Sequence, residues 1–258
     1  MAETLVWISG ATGGLGLGLA RHVPYADARI VNISRRQHPD YETLIADIAD
    51  PAGWQRVREH FARELAGFAG SRAIFIHNAY SSDGVGLIGT LDSASYQSAV
   101  LANAAAPLVL GEAFFSAARH LDCEVGLVLM SSGATTLPIE GLATYAAAKI
   151  GVEYWADVVS RELAARRPKC WVTALRPGGI DTPGSVKNAN LPRERWPFVE
   201  VRREMHKQFM DIDTAGRLIW SALPPPPGIC LLSVGPPMTD RPEDGFGARV
   251  RYIQPPQA

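Results

Sequence analysis

A doubly wound α/β fold, one parallel β-sheet with helices on both faces in three αβα layers, is what this 258-residue chain predicts. Three observations carry that reading. Short apolar runs, of the kind that strands covered on both faces show, alternate with longer segments of helical period. No internal repeat interrupts the alternation, and at this length one substantial core is ordinary. A cluster of glycines, Ser9-Gly10-Ala11-Thr12-Gly13-Gly14-Leu15-Gly16, falls directly after the first apolar run.

The elements follow in order. The first strand is expected over residues 5–9 and a helix over 14–23, with the glycines in the turn between them. Strands are expected over 29–34, 73–77, 125–131, 170–176 and 229–234, and helices over 51–66, 93–119, 144–166 and 214–222. Pro224-Pro225-Pro226-Pro227-Gly228 breaks the last helix before the final strand. Beyond Gly235 the chain turns to proline, glycine and charge, so 236–258 reads as an irregular tail on a single domain of residues 1–235. Residues 183–211 place Trp196, Phe198, Met205, Phe209 and Met210 among Arg193, Arg195, Arg202, Arg203 and Lys207. That pattern suits a lid of one or two short helices over a pocket, where substrate choice would lie; the alternative is a solvated amphipathic pair packed on the core.

Composition narrows the partners. The formal net charge is −1, so no basic field argues for nucleic acid or an anionic membrane. No uninterrupted apolar stretch reaches the roughly 20 residues that span a bilayer. Cys123, Cys170 and Cys230 are odd in number and far apart, which suggests neither a disulfide framework nor a zinc site. The opening residues resemble no signal peptide. A cytoplasmic protein acting on a small molecule is the expectation.

The chemistry concentrates in Ser132, Tyr145 and Lys149, set at spacings of 13 and 4. Four residues apart on one helix, the phenol and the ammonium share a face. A phenol with a pKa of about 10 is a poor acid or base at neutral pH unless a cation stabilises its phenolate. A hydroxyl from a separate strand end could then hold a carbonyl against it. In the glycine turn, Gly10 allows the tight bend, while Gly14 and Gly16 let backbone and helix approach a pyrophosphate and the strand. The helix N-terminus offers free N–H groups to phosphates. At the end of the second strand, Ser34 is followed by Arg35 and Arg36 where an acid would bind a ribose 2′-hydroxyl. Two guanidiniums there favour a 2′-phosphate, hence NADP(H) over NAD(H), though a solvated arginine pair reads the same way.

Over residues 4–235 these features, in this order, make the chain similar to the short-chain dehydrogenase/reductases of compact, Rossmann-type architecture. The glycine loop is followed by Asp47-Ile48, by His77-Asn78-Ala79-Tyr80, and by Asn103 on a helix. Then come Ser132, Tyr145-Ala146-Ala147-Ala148-Lys149 and Arg176-Pro177-Gly178-Gly179-Ile180-Asp181-Thr182. The stretch Ile76-His77-Asn78-Ala79 and the Ser34-Arg35 ending resemble sepiapterin- and benzil-reductase-like members. Tyr80 stands where the family usually has glycine, and Ser9 where it more often has threonine. Gly10, Gly13 and Gly16 also fit the spacing of extended, epimerase-type relatives, but the short tail expected beyond the last strand argues against that branch, which carries a larger C-terminal substrate domain. A non-catalytic NADP-binding regulator is a further alternative.

The resemblance implies an NADP(H)-dependent oxidoreductase acting on a carbonyl or secondary alcohol. Tyr145 would be general acid and base; Lys149 would lower its pKa and bind ribose hydroxyls. Ser132 would orient the substrate oxygen, and Asn103 would help hold a water linking Lys149 to solvent. The cofactor would be held by Gly10, Thr12, Gly13, Gly14, Leu15 and Gly16, by Ser34, Arg35, Arg36, Asp47, Ile48, Asn78 and Ala79, and by Pro177, Gly178, Ile180 and Thr182. Tyr80, Leu137, Pro138, Gly179 and Trp196 would join Ser132 and Tyr145 around a mostly apolar substrate, an aromatic or alicyclic ketone rather than a sugar. The two long helices carry apolar residues on more than one face, and relatives commonly pair them across a two-fold axis, so a homodimer or homotetramer is expected.

Overall fold

The computed structural model describes residues 3–235 and 249–255. Eight strands form one sheet in the order β3-β2-β1-β4-β5-β6-β7-β8, every neighbouring pair parallel. They are β1 (Thr4–Ser9), β2 (Ala28–Ser34), β3 (Glu42–Ile45), β4 (Arg72–His77), β5 (Glu124–Met130), β6 (Cys170–Arg176), β7 (Leu231–Val234) and β8 (Val250–Ile253). All six residues of β1 are buried, because helices cover both faces of the central strands.

Alternate side chains of one strand therefore feed two cores. Leu5 and Trp7 enter one with Phe61 and Leu65 of α2 (Pro51–Ala66), Leu110 and Phe114 of α4 (Ala106–Ala117), and Val152 and Ala156 of α5 (Ala143–Arg166). Val6 and Ile8 enter the other with Leu15 and Leu19 of α1 (Gly14–Arg21) and Ala215, Ile219 and Trp220 of α8 (Ile212–Ser221). Local chemistry starts several helices. Asp50 accepts from the N–H of Ala52 ahead of Pro51, and Asp211 accepts from Asp213 and Thr214. Gly18 and Gly216 let α1 and α8 touch backbone to backbone: a Cβ on Gly18 would lie 2.0 Å from the Ile212 carbonyl oxygen.

Three features differ from the expected elements. The helix over 93–119 is interrupted by a π-turn, Leu101–Ala105, between α3 (Ser93–Val100) and α4. By length and composition Ser93–Ala117 could cross a membrane, yet half of its most apolar window is buried inside the fold. β3 carries no buried residue, as suits an edge strand, and so shows no continuous apolar run. The segment 236–258, expected to be irregular, contains β8, which extends the sheet beyond β7. Its sequence Val-Arg-Tyr-Ile buries only Ile253, so the edge strand left little apolar signal. The rest of that segment, 236–248 and 256–258, lies outside the described residues.

The segment 183–211 carries α6 (Pro183–Ala189) and α7 (Val199–His206). It is pinned to the loop after β4. Arg195 donates from Nε to the Val85 carbonyl at 3.0 Å and from Nη2 to the Asp83 carbonyl at 3.2 Å, and Lys187 reaches the Asp83 carboxylate at 3.1 Å. The sheet order reverses between β1 and β4, and the loops leaving the carboxyl ends of the strands there open a crevice.

Candidate active site

The crevice begins at the glycine turn, held on both sides by its neighbours. The Ser9 hydroxyl accepts from the backbone N–H groups of Asn78 and Ala79, each at 2.9 Å, and the Asn78 amide donates to the Ser9 carbonyl at 3.1 Å. From the other side Asn32 accepts from the Ala11 N–H at 3.0 Å, and Gly10 donates to the Ile33 carbonyl at 2.9 Å. Gly10 has φ 77° and Gly14 φ 54°, a left-handed region where glycine is the residue without penalty. No side chain caps the start of α1, so its first N–H groups face the cleft. This is a cradle for a phosphate-bearing dinucleotide, and the residues fit one.

A cleft of about 460 Å³ runs from it, lined by Gly10, Thr12, Gly13, Gly14, Leu15, Arg35, Arg36, Asn78, Ala79, Tyr145, Lys149, Pro177, Gly178, Ile180 and Thr182. A second hollow of about 220 Å³ adjoins it, lined by Ser34, Arg35, Asp47, Ile48 and Ala79 among others. Of the expected cofactor residues, only Gly16 lines neither. It is buried beneath the loop, where an added Cβ would come 2.2 Å from the Gly10 carbonyl oxygen, so it serves close helix–strand packing instead. Arg35 is largely exposed, its guanidinium 3.8 Å from the Asp47 carboxylate. The Ser34 hydroxyl holds the turn by donating to the Arg36 carbonyl at 2.5 Å. Thr182 caps α6 in a reciprocal capping box with Ser185, and its O–H remains a donor.

A substrate-sized cavity of about 210 Å³ meets this cleft beneath α6 and α7. Tyr80, Ser132, Tyr145, Gly179 and Trp196 line it as expected. Leu137 and Pro138 do not. The 3₁₀ turn Gly133–Thr135 sets the following loop so that Gly133, Thr136, Ile139 and Leu142, three residues apart, face inward, while Pro138 is exposed. Trp196 is 2 % exposed and donates from its indole to the Glu140 carbonyl at 2.8 Å. Tyr80 stands edge-on to Tyr145 with ring centroids 6.1 Å apart, its hydroxyl abutting Gly184.

Four residues line both cleft and cavity: Tyr80, Tyr145, Gly178 and Arg202. Ser132 lines only the substrate cavity and Lys149 only the cleft, so Tyr145 stands between its two partners. Desolvation raises the Tyr145 pKa, opposed by a hydrogen bond from Ser132 and by the charge of Arg202. The Lys149 ammonium is buried and donates to the Met130 carbonyl at 2.7 Å, 5.6 Å from the centre of the Tyr145 ring. Burial pulls its pKa down to about 8, against the pull of Glu153. His77 is buried and neutral, pushed to about 3 by desolvation and then by Lys149. Asn103 sits in the π-turn, and its side chain accepts from the Ser81 N–H and donates to the Ser81 carbonyl, each at 2.8 Å. That pair of bonds positions the loop after β4.

Glu153 and Asn32 escaped the sequence reading, and Arg176 was read only as part of a motif. Glu153 and Arg176, 2 % and 4 % exposed, form a bidentate pair with both contacts at 2.7 Å. The same carboxylate accepts from Ser131 at 2.5 Å and Thr135 at 3.2 Å. Glu153 lies four residues beyond Lys149 and eight beyond Tyr145, and that shared helix face was the available signal. Asn32, a polar residue inside an apolar strand, was the signal for its hold on the glycine loop.

Ser9→Ala would leave two backbone donors without an acceptor. It is expected to cost about 1–3 kcal/mol in urea unfolding and to weaken cofactor binding in the same titration series. Ser9→Thr keeps the oxygen and should recover most of both. A Ser9→Ala protein with unchanged stability would contradict this role.

Comparison with known proteins agrees with the geometry. The sequence profile of the short chain dehydrogenase family matches residues 4–192. An uncharacterized oxidoreductase of Schizosaccharomyces pombe is 25% identical over 235 residues, 84% of this chain and 86% of that one. A benzil reductase of Bacillus cereus, named as forming (S)-benzoin, is 23% identical over 188 residues, 69% of this chain and 76% of its own. Among solved structures, a short-chain dehydrogenase from Streptomyces avermitilis superposes with a TM-score of 0.71 at 20% identity, over 91% of this chain and 88% of that one. Actinorhodin polyketide ketoreductase, determined with NADPH, does so with a TM-score of 0.69 at 18% identity, over 86% and 91%. With its family profile, its parallel sheet and its cleft in agreement, this chain belongs to the short-chain dehydrogenase family of oxidoreductases.

Proposed function

We propose that this protein is an NADP(H)-dependent carbonyl reductase, acting on an apolar or aromatic ketone, with Tyr145 as general acid in reduction and general base in the reverse oxidation. The observation that carries this reading is the place of Tyr145 at the junction of cleft and cavity, with Ser132 on the substrate side and Lys149 on the cofactor side. The nicotinamide, when bound, supplies or accepts the hydride. Tyr145 donates its proton to the carbonyl oxygen, and the raised phenol keeps that proton at neutral pH. Ser132 donates to the same oxygen and stabilises the charge that develops there. Lys149, on the cleft side, is the cation from which the phenol is resupplied.

Arg35 and Arg36 line the cleft beyond the second strand, whose end carries no acid, and the carboxylate of Asp47 lies 3.8 Å from Arg35. The two arginines are the residues proposed to select NADP(H), and one relative of the same fold was determined with NADPH. The apolar lining of the cavity and the similarity to a benzil reductase support a hydrophobic ketone.

In the reducing direction, Tyr145→Phe is expected to lower turnover by at least about 10²-fold while NADPH still binds, with circular dichroism confirming the fold. Lys149 is a cation below about pH 8 and neutral above it, so native turnover for reduction should fall as pH rises through that value. Full activity in Tyr145→Phe would contradict the mechanism. For the cofactor, titration should show NADPH bound at least tenfold tighter than NADH, as about 1.5–3 kcal/mol per charged hydrogen bond allows. Replacing Arg35 and Arg36 together should shrink that gap, and equal affinities in the native chain would contradict the assignment.

A further inference from the structure

We infer that Arg202 recognises an anionic group on the substrate, and that the substrate is an oxo acid: an apolar body bearing a carboxylate close to the carbonyl that is reduced. This rests on the carbonyl-reductase reading and specifies its substrate class. Val85, Ile139, Leu142, Trp196, Phe198 and Phe209 make the cavity wall largely apolar, yet two guanidiniums enter it. That of Arg176 is paired with Glu153. That of Arg202 lies over the Phe209 ring, its central carbon 4.5 Å from the ring centroid. Its Nε is shut away from solvent without a hydrogen-bond partner. Among the described residues no acidic side chain lines either the cavity or the adjoining cleft, so the protein offers this cation no counter-ion there. The amide oxygen of Asn188, which lines the same cavity, is likewise buried without a partner.

A sheltered cation without an anion is unfavourable, and removing that deficit is a source of ligand affinity. The planar fork matches a carboxylate with two parallel hydrogen bonds, while Phe209 fixes its plane. Location sets the distance between the groups. Arg202 shares the junction of cleft and cavity with Tyr145, and its charge acts on the Tyr145 and Tyr80 phenols. A carboxylate on Arg202 thus lies within a few bonds of a carbonyl held by Tyr145, with the apolar remainder against Trp196 and Phe198.

The test is calorimetric binding of 3-phenylpropanoate and its neutral amide to the NADP⁺-saturated protein, neither of which is reduced. The acid is expected to bind at least tenfold tighter than the amide. Arg202→Met should abolish that preference, and Arg202→Lys should keep part of it. Equal affinities for acid and amide in the native protein would overturn the inference without any variant. So would a preference that survives Arg202→Met, or a variant that loses NADP⁺ affinity with the preference unchanged. NADPH oxidation with benzoylformate, its methyl ester and neutral diketones separates the two readings. Reduction of the neutral ketones with no preference for the acid sinks the oxo-acid inference and leaves the reaction. Arg202-dependent binding of the acid with no carbonyl reduced keeps the anion site and sinks the reaction.

Discussion

The buried carboxylate of Glu153 is the contact on which the geometry of the site depends. It takes two hydrogen bonds from Arg176 at the end of β6, and one each from Ser131 and Thr135 on either side of Ser132. It stands on the same helix as Tyr145 and Lys149. One group therefore ties together three segments: the loop that presents Ser132, the helix that presents the phenol and the ammonium, and the strand end that leads into Pro177 and Gly178. Such a pair gains little over an apolar core, but losing one partner strands a buried charge at a cost of about 3–5 kcal/mol. Its use here is to fix the relative positions of Ser132, Tyr145 and Lys149.

A second constraint acts at the cofactor side. The glycine turn is held from outside by hydrogen bonds, to Asn32 from β2 and through Ser9 and Asn78 across to β4. With Gly16 pressed against Gly10, the start of α1 has one position available, its N–H groups open to the cleft. The lid is held differently. Polar contacts from Lys187 and Arg195 join it to the loop after β4, while its own Leu191, Trp196 and Val199 pack with Val85, Ala134 and Leu142. The wall that this segment gives the cavity is thus joined to the scaffold through the loops after β4 and β5.

The fold was legible because central strands covered on both faces must be continuously apolar, and helices between them must show one apolar stripe. Edge strands escape that demand, which is why β3 and β8 left so little trace. The glycine loop and the Tyr145–Lys149 spacing were legible because their chemistry imposes a local pattern. The cavity wall was not. Whether Leu137 and Pro138 or Thr136 and Ile139 face inward is decided by the turn after β5, and sequence spacing does not encode it. Partnership was equally hidden: Asn103 could be placed on its helix, but not matched with the backbone of Ser81. For Arg202, one of several basic residues around the apolar lid positions, only the fold shows which guanidinium turns inward.

The central claim is that a carbonyl held by Ser132 and Tyr145 meets the nicotinamide at the junction lined by Tyr80, Tyr145, Gly178 and Arg202. It is tested most directly by following a label. When a reducible ketone is turned over with NADPH carrying deuterium at the transferable C4 position, the account predicts one deuterium on the carbinol carbon of the product, read by mass spectrometry. The reaction run with unlabelled NADPH in deuterium oxide should leave that carbon unlabelled. A product without deuterium from the labelled cofactor, or with deuterium at that carbon from solvent, would contradict it.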